Sequence, residues 1–142
     1  MRSPGSLPAG TPLAEARQSL GAGVEYPLAD GGRRLEVNRG RETYMVDFDA
    51  TGRLVSSQQV LSPATFDTIT IGMTEQQVLT RIGRPAYVFP VGWQNLQVWS
   101  YRFGGLEGDC RVFQVSISNA TRTVADAGPN SDPACSTGGD RS

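Results

Sequence analysis

Asp47-Phe48-Asp49-Ala50-Thr51-Gly52 places oxygen donors at alternate positions and glycine at the sixth, like the first half of a calcium loop. The pattern fails at position twelve, where a bidentate glutamate is required and Gln58 stands. The aligned later stretch, Ser116-Ile117-Ser118-Asn119-Ala120-Thr121, offers no ligand set. Alternation of Tyr44, Val46 and Phe48 explains the segment as a strand entering a turn, with both aspartates facing water. Cys110 and Cys135 are too few for a four-ligand metal site or a disulfide framework. They read either as two small free hydrophobic residues or as a bridge. Their setting favours the bridge, since Cys110 opens a strand and Cys135 lies in the polar tail, and a bridge implies an oxidising compartment.

Two absences remove whole mechanisms. The 13 basic residues are all arginine, and histidine is missing. Without histidine there is no Ser-His or Cys-His nucleophile pair and no imidazole for zinc. Without lysine there is no P-loop, Schiff base or Ser-Lys dyad. Carboxylates, arginine, tyrosine and serine remain, so an enzyme is the distant reading, and no metal or cofactor is expected. A formal net charge of -1 argues against a nucleic-acid footprint. No stretch approaches the apolar length of a membrane span.

Aromatic residues concentrate in the later half: Tyr87, Phe89, Trp93, Trp99, Tyr101, Phe103 and Phe113. Trp99, Tyr101 and Phe103 share a strand face and are expected to pack under a helix. Trp93, in the turn Pro90-Val91-Gly92-Trp93, is hard to bury locally, and reads either as an interface residue or as a seal at the core edge. Arg33, Arg34, Arg39 and Arg41 surround one hairpin and read as a solvated face balanced by Asp30, Glu36 and Glu42. The functional reading of that cluster is a dock for an acidic partner or a lipid phosphate. Asn119-Ala120-Thr121 fits the glycosylation sequon and is taken as chance.

These residues need elements to hold them. At 142 residues, 38% hydrophobic, the chain suits one ordinary domain or two very small ones. Residues 1–9 read as a flexible lead. Thr11 is the expected N-cap of a helix with Pro12 at its first position, buried face Leu13, Ala16 and Leu20, and Gly21 past its end. An extended piece follows at Val24 to Tyr26, then strands through Leu35 and Val37, at Tyr44 to Phe48, and at Arg53 to Val60. Ser62-Pro63 starts a short helix carrying Phe66 and Ile69. Thr74 and Gln77 make a capping box, Met73 and Val78 have the spacing of a hydrophobic staple, and Gly83 with Pro85 ends that helix. Strands then run Ala86 to Phe89, Gln97 to Phe103 and Arg111 to Ser118, with turns at Pro90-Val91-Gly92 and Gly104 to Asp109. A short last strand covers Thr121 to Ala125, and residues 127–142 form a polar tail.

The spacing Gly, ten residues, Gly occurs at Gly10/Gly21 and again at Gly72/Gly83. Each copy has a helix-start signal after its first glycine and an alternating strand downstream. The expected class is therefore α+β: two tandem α(α)βββ units, residues 10–61 and 62–126, with short helices on antiparallel meanders.

The second unit carries Phe66, Ile71-Gly72-Met73-Thr74-Glu75-Gln76-Gln77-Val78, Ile82-Gly83-Arg84-Pro85, Pro90-Val91-Gly92 and Trp99-Ser100-Tyr101-Arg102-Phe103. On these residues it resembles the SmpA/OmlA (BamE-like) family of bacterial outer-membrane lipoproteins. The resemblance implies a lipoprotein on the periplasmic face of the outer membrane, accessory to the β-barrel assembly machinery. It implies binding to protein partners in the cell envelope and to anionic lipid head groups, through Met73, Phe89, Val91, Trp93 and Arg102. The export signal and the lipidated cysteine are expected to be absent from this version of the chain. Paired units also resemble the β-lactamase-inhibitor-protein fold, which implies a concave sheet gripping a partner enzyme.

Overall fold

The computed structural model describes residues 4–21, 23–104 and 111–132. Cys110, Cys135 and most of the expected Gly104–Asp109 turn lie outside them, so the expected bridge falls there too. The chain is α+β, with two four-stranded antiparallel sheets and few short helices. It divides into two compact units, Met1–Arg39 with Thr43–Val60, and Gly40–Glu42 with Leu61–Ser142. No helix among the described residues is long and apolar enough to cross a membrane.

In the first unit, α1 (Leu13–Leu20) precedes a meander of β1 (Val24–Pro27), β2 (Arg33–Asn38), β3 (Thr43–Phe48) and β4 (Leu54–Gln59), in that order across the sheet. Four strands form where the αβββ expectation had three, because Val24 to Pro27 pairs with β2 along its whole length. The register Leu35↔Val46 and Val37↔Tyr44 puts the alternating apolar residues on one face. Ala16 and Leu20 of α1 cluster with Leu35, Val37, Val46, Phe48 and Leu54. An eight-residue helix is marginal alone, so this apolar face supplies its stability.

Thr11 does not cap α1. Pro12 occupies the N-cap position without a side-chain bond, and the Thr11 hydroxyl donates backwards to the Pro8 carbonyl at 2.6 Å. The orphan amide of Leu13 is met instead by the Gly52 carbonyl at 2.9 Å. Gly10 N–H donates to Leu54 O at 2.8 Å, and Leu54 N–H returns a bond to Thr11 O at 2.9 Å. The lead expected to be flexible is folded from Pro4 onward: Pro4–Ser6 form a 3-10 turn, and Leu7 joins the core. A single apolar residue in a Pro/Gly/Ser run gives no periodicity, so its burial leaves no pattern in the sequence.

In the second unit, α2 (Pro63–Phe66) and α3 (Glu75–Ile82) precede β5 (Tyr87–Val91), β6 (Leu96–Arg102), β7 (Arg111–Ser118) and β8 (Val124–Ser131). The expected capping box is present. Gln77 N–H donates to Thr74 Oγ1 at 3.1 Å, and Thr74 N–H donates to Gln77 Oε1 at 2.9 Å. Gly83 ends the helix at φ 79, donating to Leu79 O at 2.8 Å. That left-handed angle favours glycine, and a side chain there would be strained.

Val78 and Ile82 are fully buried. Tyr101 donates its hydroxyl to Gly83 O at 2.7 Å, tying the buried face of β6 to the end of α3. Phe66 stacks on Phe113 at 4.1 Å and meets Phe103 edge-on at 5.0 Å. Two boundaries differ from expectation. Pro90 and Val91 complete β5 rather than turning, because an edge strand tolerates a residue without N–H. β8 runs on through Ser131, so the polar tail begins later than residue 127; beyond the buried Val124 its side chains are exposed or half-buried while its backbone pairs with β7.

Candidate functional site

The most exposed large apolar side chains mark one end of the second sheet. Trp93 is 86% exposed and Ile71 is 74% exposed, ahead of Val55 and Val88 among the described residues. Trp93 belongs to a 3-10 turn, Gly92–Gln94, between β5 and β6, closed by Asn95 in the left-handed conformation. Ile71 precedes Gly72, whose N–H donates to Val124 O at 2.8 Å. Met73 follows, and its carbonyl accepts from Val124 N–H at 2.8 Å. Leu96 pairs with Ser118 and Ile117 with Val124, so the β5–β6 turn, the β7–β8 turn and the start of α3 share this end. β5 and β8 are three strand spacings apart, about 14 Å, so the two apolar residues flank the end.

Between them lie polar, uncharged groups: Asn95, Asn119 and Thr121. The charges nearby are paired, with Arg122 Nε 2.9 Å from a Glu75 carboxylate oxygen. This end therefore combines apolar area with a neutral amide surface.

Of the five residues singled out from the resemblance, Met73, Val91 and Trp93 belong to this end. Met73 is half-buried beside the start of α3, and Val91 ends β5. Phe89 lies one pleat further in, on the sheet face opposite α3, through the pairs Phe89↔Val98 and Tyr87↔Ser100. Arg102 is elsewhere. It ends β6, six residues from Leu96 and roughly 20 Å along the strand. Its guanidinium pairs with Asp132 at 2.8 Å and lies 5.0 Å from the Tyr87 ring centroid. The Asp132 hydrogen bond holds the Arg102 pKa above its ordinary value. Asp132 is 2% exposed, so this pair pins the end of β8 to β6.

The arginines around the hairpin each reach a different partner. Arg34 makes a two-pronged pair with Asp47, at 2.7 and 2.9 Å, which raises the arginine's pKa. Asp47 therefore faces a guanidinium rather than open water. Arg33 is 3.8 Å from Glu25, which also pairs with Arg17. Arg39 donates to Leu20 O at 3.3 Å, and Arg41 to Phe103 O at 2.9 Å. Glu36 is fully buried and accepts the Tyr26 hydroxyl at 2.6 Å, while Asp30 caps the Gly32 amide at 2.9 Å. The arginine partners lie on the neighbouring strands β1 and β3, at the end of α1 and just past β6, so counting charges along one hairpin does not reveal them.

Asp49 serves its own turn. It accepts from the Thr51 hydroxyl at 2.6 Å, the Thr51 amide at 3.0 Å and the Arg53 amide at 3.1 Å. Among the described residues no group of three His, Cys, Asp or Glu side chains gathers to hold a metal ion.

No protein-family model and no curated protein matches the chain. Among solved structures, a cysteine-rich secretory protein from Staphylococcus aureus is similar over 88% of this chain at 15% identity and a TM-score of 0.31. This chain spans 44% of that one, and a likeness so distant carries no statement about fold or function.

Proposed function

We propose that the chain is a non-enzymatic protein-binding module of the bacterial cell envelope, related to the outer-membrane assembly lipoproteins, and that it contacts its partner through the Trp93 end of the second sheet. The observation that carries this reading is the pairing of Trp93 at 86% exposure with Ile71 at 74% on that end. Exposed apolar area costs free energy in water, and a buried indole removes on the order of 150–250 Å². Tryptophan is also the residue type most enriched among binding hot spots.

The finer part of the proposal is that the two units are diverged copies. Matching hydrogen bonds support it. Gly10→Leu54, Leu54→Thr11 and Leu13→Gly52 in the first unit correspond to Gly72→Val124, Val124→Met73 and Glu75→Arg122 in the second. Both third and fourth strands carry a register shift, at Asp47/Phe48 and at Ser116/Ile117. In this correspondence Arg122, with φ 62, stands where the first copy has Gly52 at φ 83. Only the second copy places an exposed tryptophan on the turn between its first two strands.

Matched sheets also favour a second reading, a protein inhibitor that grips an enzyme with its strands. There the contact would run over sheet faces, so Phe89 would matter more than Trp93. Affinity capture from envelope fractions with wild type, Trp93→Ala and Phe89→Ala separates the two. Loss of partner with Trp93→Ala alone supports the first reading, and loss with Phe89→Ala alone supports the second. Unchanged recovery with both folded variants refutes both.

A further inference from the structure

Trp93 makes little contact with the rest of the chain, so its placement rests on the backbone that carries it. That backbone is anchored from outside the turn. Asn95 N–H closes the turn onto Gly92 O at 3.1 Å, with Asn95 at φ 56 and ψ 45, a conformation asparagine tolerates better than most residues. Asn119, in the neighbouring β7–β8 turn, then holds Asn95 twice. Its N–H donates to Asn95 O at 3.0 Å, and its Nδ2 donates to Asn95 Oδ1 at 3.3 Å.

The anchor continues into the core. Gln97 Nε2 donates to Asn119 Oδ1 at 3.2 Å, and Trp99 Nε1 donates to Gln97 Oε1 at 2.7 Å. Trp99 is 6% exposed. A relay of side-chain amides thus runs from a buried indole to the turn that presents the exposed one. Asn119 and Gln97 each use both the donor and the acceptor end of the amide along this line, which fixes their orientation.

We propose that Asn119 is a positioning residue for Trp93, holding the Gly92–Asn95 turn rigid so that the indole meets its partner already in place. The proposal deepens the reading of Trp93 as the contact residue and rests on it for its purpose. Rigid presentation favours binding because the turn is ordered before association rather than during it.

The test is ¹⁵N relaxation on the full chain, free of any partner. In wild type, the backbone amides of Gln94 and Asn95 are expected to have order parameters near about 0.85, as in rigid backbone. In Asn119→Ala, which keeps the backbone N–H bond to Asn95 O and loses both side-chain bonds, they are expected to fall clearly below the wild-type values, with the Trp93 indole N–H gaining motion while Trp99 and the strand amides keep theirs. A merely structural role would loosen the whole sheet end instead. Asn95→Gly, which keeps the left-handed turn but removes the Oδ1 acceptor, is expected to loosen it in the same way. If Asn119→Ala fails to fold, Asn95→Gly decides by the same readout. Order parameters equal to wild type in the folded variants, or a wild-type turn already below about 0.6, overturn the proposal. Partner capture with Trp93→Ala is a separate measurement, so a turn that loosens while capture stays unchanged refutes the contact reading and not the anchoring.

Discussion

Trp93 and Arg102 bracket the same strand, one at the exposed turn before β6 and the other at its far end, paired with Asp132. The two residues therefore answer to different measurements. Trp93→Ala is expected to leave stability within about 0.5 kcal/mol, as a surface change does. Arg102→Ala removes the guanidinium from the buried Asp132 carboxylate and is expected to cost about 2 kcal/mol or more in urea unfolding. Equal stability of the two variants would mean that the Arg102–Asp132 pair holds nothing.

The helix starts separate in the same manner. Thr74→Ala removes a reciprocal capping box and is expected to cost about 1 kcal/mol. Thr11→Ala removes no cap, so its cost comes from the lost Pro8 bond and from burial. In Thr74→Ala, hydrogen exchange should quicken at the first amides of α3. In Thr11→Ala the first amides of α1 should keep their protection, since Leu13 N–H bonds Gly52 O.

The Tyr87 hydroxyl is buried with no hydrogen-bond partner among the described residues. A buried hydroxyl without a partner forfeits its solvation. Tyr87→Phe is therefore expected to be neutral or stabilising by up to about 1 kcal/mol, with the ring's stack on Phe89 retained. A clear loss of stability in thermal unfolding would show that the hydroxyl is satisfied.

Asp49 gives the pH dependence. The Thr51 hydroxyl, then the Arg53 amide, hold its carboxyl below the usual carboxylate range. A lowered folded pKa means that its contribution is present above the unfolded value, near 3.8, and is lost as pH falls through the folded one. Carboxyl ¹³C titration should place Asp49 below a typical aspartate, and Thr51→Ala should bring it back up. No difference between the two proteins would contradict the turn geometry.

Much of the fold was legible because its signals are local. The alternation of Tyr44, Val46 and Phe48, the Thr74/Gln77 box and the Gly21 and Gly83 stops each sit within one element. What escaped depends on partners far along the chain. Leu13 finds Gly52, Arg34 finds Asp47 and Arg102 finds Asp132, and no spacing rule reports such pairings. β8 extends past the expected Thr121–Ala125 strand although its outward side chains are polar, because its stability comes from pairing with β7. At the candidate site, Trp93 stood out as an aromatic in a turn. Ile71 joined it only through Gly72 and Val124, and the Asn119 anchor came from a turn read only as a chance sequon.

The claim that the Trp93 end is the contact surface is tested most directly by site-specific photo-crosslinking in intact cells that make the protein. A photoreactive residue is placed at 93, at 71 and, as an exposed apolar control, at Val55, which is 57% exposed on the first sheet. Contact through this end predicts the same discrete adduct from positions 93 and 71 and none from 55. Adducts from 55 but not from 93 or 71, in folded protein, would contradict it.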